Sequence, residues 1–500
     1  MKRREFLGTL SGAAAVAGGA GVLYPAFSGV SSSPPRPNII LIVADDLGYG
    51  ELGCFGQKKV RTPNLDRLAA EGVRFTQSYS GSPVCAPSRC VLLTGRHTGH
   101  AYIRDNDELS EKGDVWNDPS LEGQRPLLEG TVTMPALLKK AGYATAACGK
   151  WGLGGPGTTG EPNRQGFDHF YGYLCQRLAH NYYPVHLWRD GRKEILEGNT
   201  FHFGRGKLSA GKNPLDKGAY AEFAGKQYSA DLIAADARAW LQAHRDEPFF
   251  LYLPFTVPHL ALQVPPDSLE EYEGAFPETP YKGEKGYLPH WAPRAAYAAM
   301  ITRMDREIGR LMALLKEFGL DERTLVFFSS DNGATIDVGG ADTDFFESNA
   351  PLRGKKTMVY EGGIRVPLIA RWPGRIKPGK VSGHICAFED YLPTFCEAAG
   401  VAPPRAIDGL SFLPTLLGED KRQSKREYLY WEFQGRQVVR RGDWKGIRNA
   451  RTGTFELYNL GEDLAESRDL AAKEPALVRE IEGVMRAART ESDLFPLLKG

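Results

Sequence analysis

Apolar runs and amphipathic segments alternate along the chain from residue 38 onwards. The apolar runs are short and carry few polar positions, which predicts strands that are buried on both faces. The segments between them repeat apolar residues every three to four positions, which predicts helices. The predicted strands are 38–44, 143–148, 249–253 and 325–329, and the predicted helices are 63–71, 134–141, 230–244 and 294–318. This alternation predicts an α/β domain with helices on both faces of the sheet.

The pattern changes after Pro414. Short alternating segments at 428–433, 437–448 and 455–458 predict antiparallel strands, and 475–488 predicts a helix. We therefore divide the chain into a main domain at 38–418 and a small C-terminal α+β subdomain at 425–500. Residues 171–228 are rich in glycine, aromatic residues and histidine without a clear period, which predicts long surface loops of the kind that often line a substrate site.

The first thirty residues have the pattern of an export signal. Lys2-Arg3-Arg4 precedes Glu5-Phe6-Leu7 and an apolar run at 13–23, an order that resembles a twin-arginine signal. The alternative is an uncleaved membrane anchor, but the run is short and rich in glycine, and no other segment is long and apolar enough to span a bilayer. We predict a signal at 1–30, a linker at 31–37, and a bacterial protein that the export machinery delivers to the periplasm or beyond, without stable membrane insertion.

Composition excludes several classes of protein. The 500 residues carry a formal net charge of +1, so no overall field attracts nucleic acid, which is not an expected partner. The seven cysteines are scattered and contain no Cys-x-x-Cys pair, which argues against a zinc ribbon or a thioredoxin-like motif. We expect a soluble enzyme or binding protein with a large core.

Three predicted strands end in polar residues that suit metal or acid–base chemistry. The first ends at Asp45-Asp46, another at Asp331-Asn332, and a third leads to His259. Sites in open α/β sheets are built at the carboxyl ends of strands. Three carboxylates and an amide oxygen form a hard oxygen cage suited to Ca²⁺ or Mg²⁺. A single aspartate in such a place is more often a turn or helix cap, but the combination favours a site.

One cysteine starts a predicted helix with an unusual sequence. Cys85-Ala86-Pro87-Ser88-Arg89 is followed by Leu93-Thr94-Gly95-Arg96. The helix start favours an anion, which would meet the first-turn amides and Arg89. A reactive low-pKa thiolate and an inert buried thiol are the alternatives. Neither alternative explains the proline, serine and arginine that follow.

The cysteine motif resembles that of the formylglycine-dependent (type I, arylsulfatase-like) sulfatases of the alkaline phosphatase superfamily. Matching segments continue in order to Pro414, namely 45–46, 149–154, 331–333, 352–363 and 408–414. The resemblance implies a large mixed, mostly parallel sheet flanked by helices, with a small C-terminal antiparallel sheet plus helix. It also implies that a formylglycine-generating enzyme oxidises Cys85 to formylglycine. One Ca²⁺ would touch that residue and be held by four further residues, Asp45, Asp46, Asp331 and Asn332.

The resemblance further implies a reaction: hydrolysis of sulfate monoesters by the hydrated aldehyde at Cys85. Arg89, Lys150 and Lys356 would clamp the sulfate oxygens, and His259 with Lys356 would assist the departing alcohol. The substrate would be a small-molecule or glycan sulfate ester, most simply a sulfated carbohydrate or an aryl sulfate. Two alternatives stay open: a phosphate or phosphonate ester hydrolase of the same superfamily, and a non-catalytic binder of sulfated glycans if Cys85 is unmodified.

The sequence departs from the family at Gly152, where the family usually has a histidine that takes up a proton during sulfate release. His180 and His186 are the candidate replacements, although a packing or sugar-binding role fits His180 equally well. His97 and His100 are expected at the surface or behind the site. Aromatic residues at 182, 183 and 188 would form either a sugar platform or, more simply, part of the core.

Overall fold

Strands and helices alternate through residues 36–109, 121–200 and 204–498, the part of the chain that the computed structural model describes. The strands are β1 (Asn38–Asp45), β2 (Val73–Phe75), β3 (Ser78–Tyr79), β4 (Ala144–Lys150), β5 (His169–Tyr173), β6 (His186–Arg189), β7 (Arg192–Ile195), β8 (Phe249–Pro258), β9 (Thr324–Ser330), β10 (Leu368–Arg371), β11 (Lys380–Ser382), β12 (Cys386–Ala387), β13 (Leu429–Phe433), β14 (Arg436–Arg441), β15 (Trp444–Asn449) and β16 (Phe455–Asn459). The helices are α1 (Pro63–Ala70), α2 (Cys85–Thr94), α3 (Met134–Lys140), α4 (Ser229–Ala243), α5 (Pro266–Leu269), α6 (Pro293–Glu317), α7 (Glu361–Ile364), α8 (Tyr391–Ala398), α9 (Leu413–Leu416) and α10 (Pro475–Ala487). The predicted export signal lies outside the described residues.

A ten-stranded sheet forms the centre of the molecule, in the order β11-β2-β10-β9-β1-β8-β4-β5-β6-β7. The middle strands β9, β1, β8, β4 and β5 are parallel, whereas β10, β6 and β7 pair antiparallel with their neighbours. The sheet is therefore mixed and mostly parallel, which confirms the predicted fold class.

Each face of the sheet has its own apolar core. Along β1, Ile40 and Ile42 pack with α1, α4 and α6, while Ile39, Leu41 and Val43 pack on the opposite side with α2, α3 and α8. Successive side chains of a strand point to opposite faces, so a strand between two helical layers must be apolar at every position. This is the physical reason for the continuous apolar run that begins at residue 39.

The prediction of long surface loops at 171–228 is wrong for its first part. The segment contributes the end of β5, then β6 and β7, which extend the edge of the sheet. Gly172 allows β5 to approach β4, because a β-carbon there would lie 1.9 Å from the carbonyl oxygen of Gly149. Strands β6 and β7 have four residues each, too few for a period of two to stand out in the sequence.

A second sheet of four antiparallel strands, β13 to β16, forms the C-terminal region, as predicted. The predicted strand at 437–448 is in fact two strands, β14 and β15, joined by a turn at Gly442 with φ of +59°. Helix α10 covers one face of this sheet. The other face packs on Tyr79, Val84 and Ile364 of the main domain. Among the described helices, none is both long and apolar enough to cross a bilayer.

A partly buried histidine, His169, links α4 to the turn between β6 and β7 and gives a pH-dependent prediction. His169 Nδ1 lies 3.1 Å from Asp190 Oδ2, and its Nε2 lies 2.6 Å from Asp236 Oδ2. Burial opposes its charge, but the two carboxylates outweigh burial and raise the pKa of His169 to about 9. The contribution of His169 to the free energy of unfolding is therefore fully present below its pKa in the unfolded chain, about 6.5. It is lost as the pH rises through about 9.

We expect His169→Gln to destabilise the protein by about 1 to 2 kcal/mol at pH 6 and by much less at pH 9.5. At pH 9.5 the imidazole of wild type has largely lost its proton. The charged contacts that the variant lacks are therefore weak in wild type as well. Thermal unfolding of the two proteins at both pH values measures the difference. An equal difference at both pH values would contradict this assignment.

Candidate active site

Polar residues at four strand ends meet at one edge of the central sheet, and the sequence predicts three of the four. Asp45 ends β1, Lys150 ends β4, His259 follows β8 and Asp331 follows β9. The ends of β1, β8 and β9 lie side by side in the sheet, because Ala44 pairs with Ser330 and Asp45 pairs with Pro258. Asp46 adopts a left-handed backbone with φ of +64°, an uncommon conformation for a residue other than glycine. Such strain is often retained at functional sites.

The carboxylates at this edge are fully buried and paired with cations. Lys150 Nζ donates to Asp45 Oδ2 at 2.6 Å, and Lys356 Nζ donates to Asp46 Oδ2 at 2.8 Å. Burial opposes the charge of Lys356, but Asp46 and its other anionic neighbours raise the pKa of the ammonium well above its ordinary value. Buried charges of this kind persist only when they are paired. The cluster therefore keeps two ammonium groups charged beside the carboxylates.

Arg89 joins the helix that carries Cys85 to two strand ends. Its Nε and Nη2 donate to Asp331 Oδ2 at 3.0 and 2.8 Å, and its Nη1 donates to the carbonyl oxygen of Lys150 at 2.7 Å. Asp331 Oδ1 in turn accepts from the backbone N–H of Asp46 at 3.1 Å. The planar guanidinium thus holds three elements in one arrangement.

Cys85 is the first residue of α2, as predicted, and is only 2% exposed. Its Sγ lies 3.7 Å from Asp45 Oδ1. Burial raises the pKa of this thiol to about 12 although Lys150 and Lys356 are near. At neutral pH the thiol therefore stays protonated, which argues against the alternative of a reactive thiolate.

The expectation that the first-turn amides of α2 face an anion is wrong for residues 86 to 88. The N–H of Ala86 donates to Asn106 Oδ1 at 3.0 Å, and the N–H of Ser88 donates to the carbonyl oxygen of Val84 at 3.3 Å. Pro87 has no N–H. Anion binding here must therefore come from side chains rather than from these amides.

Three of the residues predicted to hold a cation, Asp45, Asp46 and Cys85, lie together in a cluster that suits this role. The ligating atoms of Asp45, Asp46, Cys85 and His259 all lie within 4.8 Å of one another. Asn332 Nδ2 donates to Asp46 Oδ1 at 2.8 Å, but its Oδ1 is buried and has no hydrogen-bond partner among the described residues. An orphaned buried oxygen costs free energy unless something binds it. Together with the buried carboxylates, it forms a donor set suited to a hard cation such as Ca²⁺.

Two histidine rings stack beside the cluster. His259 Nδ1 lies 2.7 Å from the carbonyl oxygen of Leu260, and its Nε2 lies 3.5 Å from Asp46 Oδ2. The ring of His180 stacks on it with centroids 4.3 Å apart and an angle of 11°. Burial lowers the pKa of both imidazoles well below its ordinary value. The structure thus brings His180 to the site, whereas His186 lies elsewhere and contacts Glu122.

Gly152 adopts a left-handed conformation with φ of +79°, and the side chain of Gln176 lies over it. A β-carbon at residue 152 would lie 3.3 Å from Gln176 Oε1. A side chain here would be strained and crowded unless Gln176 moved. Nothing in the local sequence signals this contact, because it joins two loops.

A cavity of about 310 Å³ opens onto Cys85. Sequence reasoning identified four of its lining residues, namely Cys85, His180, His259 and Lys356. It missed others that come from loops, among them Asn106, Gln176, Arg177, Arg205 and Tyr287. No motif marks these positions, since loop packing in three dimensions brings them together.

The remaining aromatic and histidine predictions resolve in favour of packing. Tyr182, Tyr183 and Trp188 are buried in the cores, so they form no open sugar platform. His100 is half-buried and stacks on His97, and both rings face Asp408. His97 itself is buried at the contact with Tyr430, so a surface position is wrong for it.

Comparison with known proteins agrees with this geometry. Residues 37–401 match the family model described as Sulfatase, and residues 354–489 match that of the N-sulphoglucosamine sulphohydrolase C-terminal region. N-acetylgalactosamine-6-sulfatase of Homo sapiens is 31% identical over 462 residues, which cover 89% of this chain and 77% of the relative. N-acetylgalactosamine-6-O-sulfatase of Bacteroides thetaiotaomicron is 30% identical, with 91% and 93% covered.

A solved structure shares the fold as well. That of Ps i-CgsB superposes with a TM-score of 0.71 at 26% identity, covering 90% of this chain and 93% of the other. The family model covers most of the chain, the relatives cover nearly its whole length, and the predicted resemblance is confirmed. The chain therefore belongs to the sulfatase family and is a sulfuric ester hydrolase.

Proposed function

We propose that the chain hydrolyses sulfate monoesters of carbohydrates with formylglycine at position 85 and one bound Ca²⁺. The observation that carries this proposal is the position of Cys85. It begins α2 inside the cysteine motif, and its Sγ lies 3.7 Å from Asp45 in a buried cluster of carboxylates and ammonium groups. A protonated thiol there is a poor nucleophile, which favours an oxygen nucleophile made from it.

The choice of carbohydrate rests on the relatives. Two of them are named for N-acetylgalactosamine 6-sulfate, and Ps i-CgsB has been solved in complex with k-i-k-neocarrahexaose. A steryl-sulfatase of Mus musculus is also 33% identical over 455 residues. Relatives at this level of identity are therefore named for sulfate esters of different alcohols, namely sugars and sterols. The cavity walls come from loops, where substrate selection is expected to lie.

Four residues would hold Ca²⁺, namely Asp45, Asp46, Asp331 and Asn332, with the oxidised residue 85 beside it. When present, the cation supplies positive charge and the hydrated aldehyde supplies the attacking oxygen. The buried Oδ1 of Asn332 supports this assignment. Arg89 fixes Asp331 through two hydrogen bonds and so keeps the cage in shape.

The sulfate group would lie against Lys150 and Lys356, with Arg89 completing the positive charge. Positioned cations stabilise the charge that develops on sulfate oxygens, and they act more strongly in a site that excludes water. Lys356 is the more accessible ammonium, since its side chain is 12% exposed and lines the cavity while that of Lys150 is fully buried. Lys356 is therefore placed to donate a proton to the departing alcohol.

His259 would exchange protons through Nε2, because Nδ1 is taken up by the carbonyl oxygen of Leu260. His180 stacks on that ring and lines the same cavity, which supports its role as the replacement base for the histidine that is absent at Gly152. We further propose that a formylglycine-generating enzyme modifies Cys85 and that the product is exported from a bacterial cytoplasm.

A panel of esters tests the proposed function. N-acetylgalactosamine 6-sulfate, N-acetylglucosamine 6-sulfate, galactose 4-sulfate and phenyl sulfate are compared with phenyl phosphate and a phenyl phosphonate monoester at matched concentration with Ca²⁺. We expect a sugar sulfate to have the highest kcat/KM. Faster turnover of the phosphonate or phosphate would instead support the alternative ester class. No turnover of any ester by protein with formylglycine at position 85 would favour a sulfated-glycan binder.

We expect His180→Ala to lower kcat for the preferred sulfate ester by about 10²-fold, the contribution typical of a general base. His259→Ala is expected to cost at least as much. His186→Ala is a matched control, because that buried imidazole contacts Glu122 away from the cavity, and its kcat should stay within about twofold of wild type. Full activity of His180→Ala alongside an inactive His259→Ala would show that His180 only packs.

A further inference from the structure

Asn106 stands on the wall of the cavity with its side-chain amide held in one orientation. The residue follows α2 in the chain and is exposed. Its Oδ1 accepts the backbone N–H of Ala86, the residue after Cys85, at 3.0 Å. Only the carbonyl oxygen of an amide can accept that hydrogen, so Nδ2 must occupy the other branch. Its own N–H donates to Asp105 Oδ1 at 2.7 Å, which further fixes the backbone.

The two donors on Nδ2 have no protein hydrogen-bond partner in the described parts of the chain. Asn106 lines the same cavity as Cys85, His259 and Lys356. An anchored amide with unused donors at the wall of a cavity is a ready binding group for an acceptor oxygen. Asn106 can therefore bind an acceptor in the cavity through Nδ2 while its Oδ1 keeps the hydrogen bond with Ala86.

The distribution of charge indicates which oxygen Nδ2 would bind. The ammonium groups of Lys150 and Lys356 lie with the carboxylates at the strand ends, where the sulfate is proposed to bind. Next to Asn106, Asp107 pairs with Arg125 at 2.6 Å and Glu108 pairs with Arg177 at 2.9 Å. The two acidic residues that follow Asn106 are thus each paired with an arginine, and the carboxylate of Asp105 lies beside the N–H of Asn106. A neutral donor in such surroundings suits a neutral acceptor better than a second anion.

We propose that Asn106 is a specificity-determining residue, whose Nδ2 donates to an uncharged acceptor oxygen of the sugar that carries the sulfate ester. The acceptor would be a hydroxyl, ring or acetamido oxygen. This inference rests on the proposed function, since it assigns a partner within the same site. It predicts that Asn106 discriminates between a sugar sulfate and an aryl sulfate that has no such oxygen.

Two substitutions separate this role from simple capping of the N–H of Ala86. Asn106→Asp keeps an acceptor for that N–H and removes both donors, whereas Asn106→Ala removes both functions. We expect Asn106→Asp to retain the melting temperature of wild type and Asn106→Ala to lower it, because the latter leaves the N–H of Ala86 without its partner. In both variants, kcat/KM for the fastest sugar sulfate of the panel, divided by that for phenyl sulfate, should fall about tenfold or more.

The ratio is the decisive quantity, because the negative charge added by Asn106→Asp repels both sulfate esters alike and cancels in it. An unchanged ratio in Asn106→Asp overturns the proposal and leaves Asn106 as a structural cap. The proposal is also overturned if kcat/KM falls by the same factor for the sugar sulfate and for phenyl sulfate in both variants. A fall in the ratio confined to Asn106→Ala would also overturn it, since that result follows from the lost cap.

A binding measurement tests the same inference without turnover. In a Cys85→Ala background, calorimetry with N-acetylgalactosamine 6-sulfate and with phenyl sulfate should show that Asn106→Asp weakens the sugar sulfate about tenfold more than the aryl sulfate. Equal weakening overturns the role of Asn106. If formylglycine-bearing wild type hydrolyses no ester yet binding discriminates as expected, the proposed reaction fails while the binding role stands. Absence of both turnover and binding contradicts both proposals.

Discussion

Replacement of Cys85 by alanine is expected to lower the turnover of sulfate esters by at least about 10⁴-fold, the scale on which loss of a nucleophile acts. The stability of the fold should change by no more than about 1 kcal/mol, because little buried volume is lost. The polar contact that Sγ makes is with Asp45 at a distance of 3.7 Å. Steady-state kinetics with phenyl sulfate and a thermal melt measure the two effects.

Cys90 provides a matched control on the same helix. It is fully buried in the apolar core beneath the sheet, away from the carboxylate cluster. We expect Cys90→Ala to cost about 1 to 2 kcal/mol of stability and to keep turnover within about twofold of wild type. Loss of activity in both variants would indicate damage to α2 rather than loss of a reacting group.

A mass spectrum of the peptide that contains residue 85 completes this test. An aldehyde or its hydrate in place of the thiol is expected in active wild type, and an unmodified thiol at Cys90 is expected in the same peptide digest. Fully active protein that carries only the thiol at residue 85 would contradict the proposed chemistry. Retained turnover in Cys85→Ala would contradict it independently.

Replacement of Lys445 by methionine is expected to cost about 3 to 5 kcal/mol, the largest loss of stability that the structure predicts for a single exchange of this kind. Lys445 is fully buried in β15 and pairs with Glu361 at 3.0 Å and Glu466 at 2.8 Å. Without the ammonium, Glu361 would keep contacts with Arg365 and Tyr79, but Glu466 would lose its buried ionic partner. A buried carboxylate without a partner is strongly unfavourable.

The loss of stability in Lys445→Met should affect the segment next to the active site as well as the C-terminal sheet. Glu466 also accepts the backbone N–H of Glu361 at 2.7 Å, at the start of α7, which lies five residues after Lys356. We therefore expect Lys445→Met to increase hydrogen exchange in both 353–364 and 444–466 and to lower the melting temperature.

Lys212→Met is the control for a surface pair. Lys212 and Glu222 are about 40% exposed, so that exchange should cost no more than about 1 kcal/mol. Combining Lys445→Met with Glu466→Gln removes the unpaired charge and should recover part of the loss. A Lys445→Met variant as stable as Lys212→Met would show that the buried pair is unimportant.

The reacting centre could be predicted from the sequence because it lies where apolar runs end. A parallel strand buried on both faces must be apolar throughout, so a polar pair such as Asp45-Asp46 marks the strand end without any knowledge of the fold. The helix start at Cys85 was equally visible, since Pro87 favours a first turn. Local rules therefore placed Asp45, Asp331 and His259 at one edge of the sheet and Cys85 at the start of a helix, whereas the family resemblance implied that Cys85 joins them.

Other features depend on contacts that no local rule describes. The hydrogen bond from the N–H of Ala86 to Asn106 Oδ1 joins two segments that are far apart in the chain, and no pattern in the sequence indicates it. The position of Gln176 over Gly152 has the same origin. Loop-to-loop contacts of this kind are set by tertiary packing.

The three-way attachment of Arg89 has a consequence for altering this enzyme by directed evolution. The guanidinium fastens α2 to the ends of β4 and β9, so the centre is rigid and nearly every substitution within it is expected to be deleterious. The cavity walls, in contrast, include loop residues at 106–108, 176–177 and 335–338 that share none of those hydrogen bonds. Libraries confined to these loops should change which sulfate ester is accepted while sparing the catalytic centre.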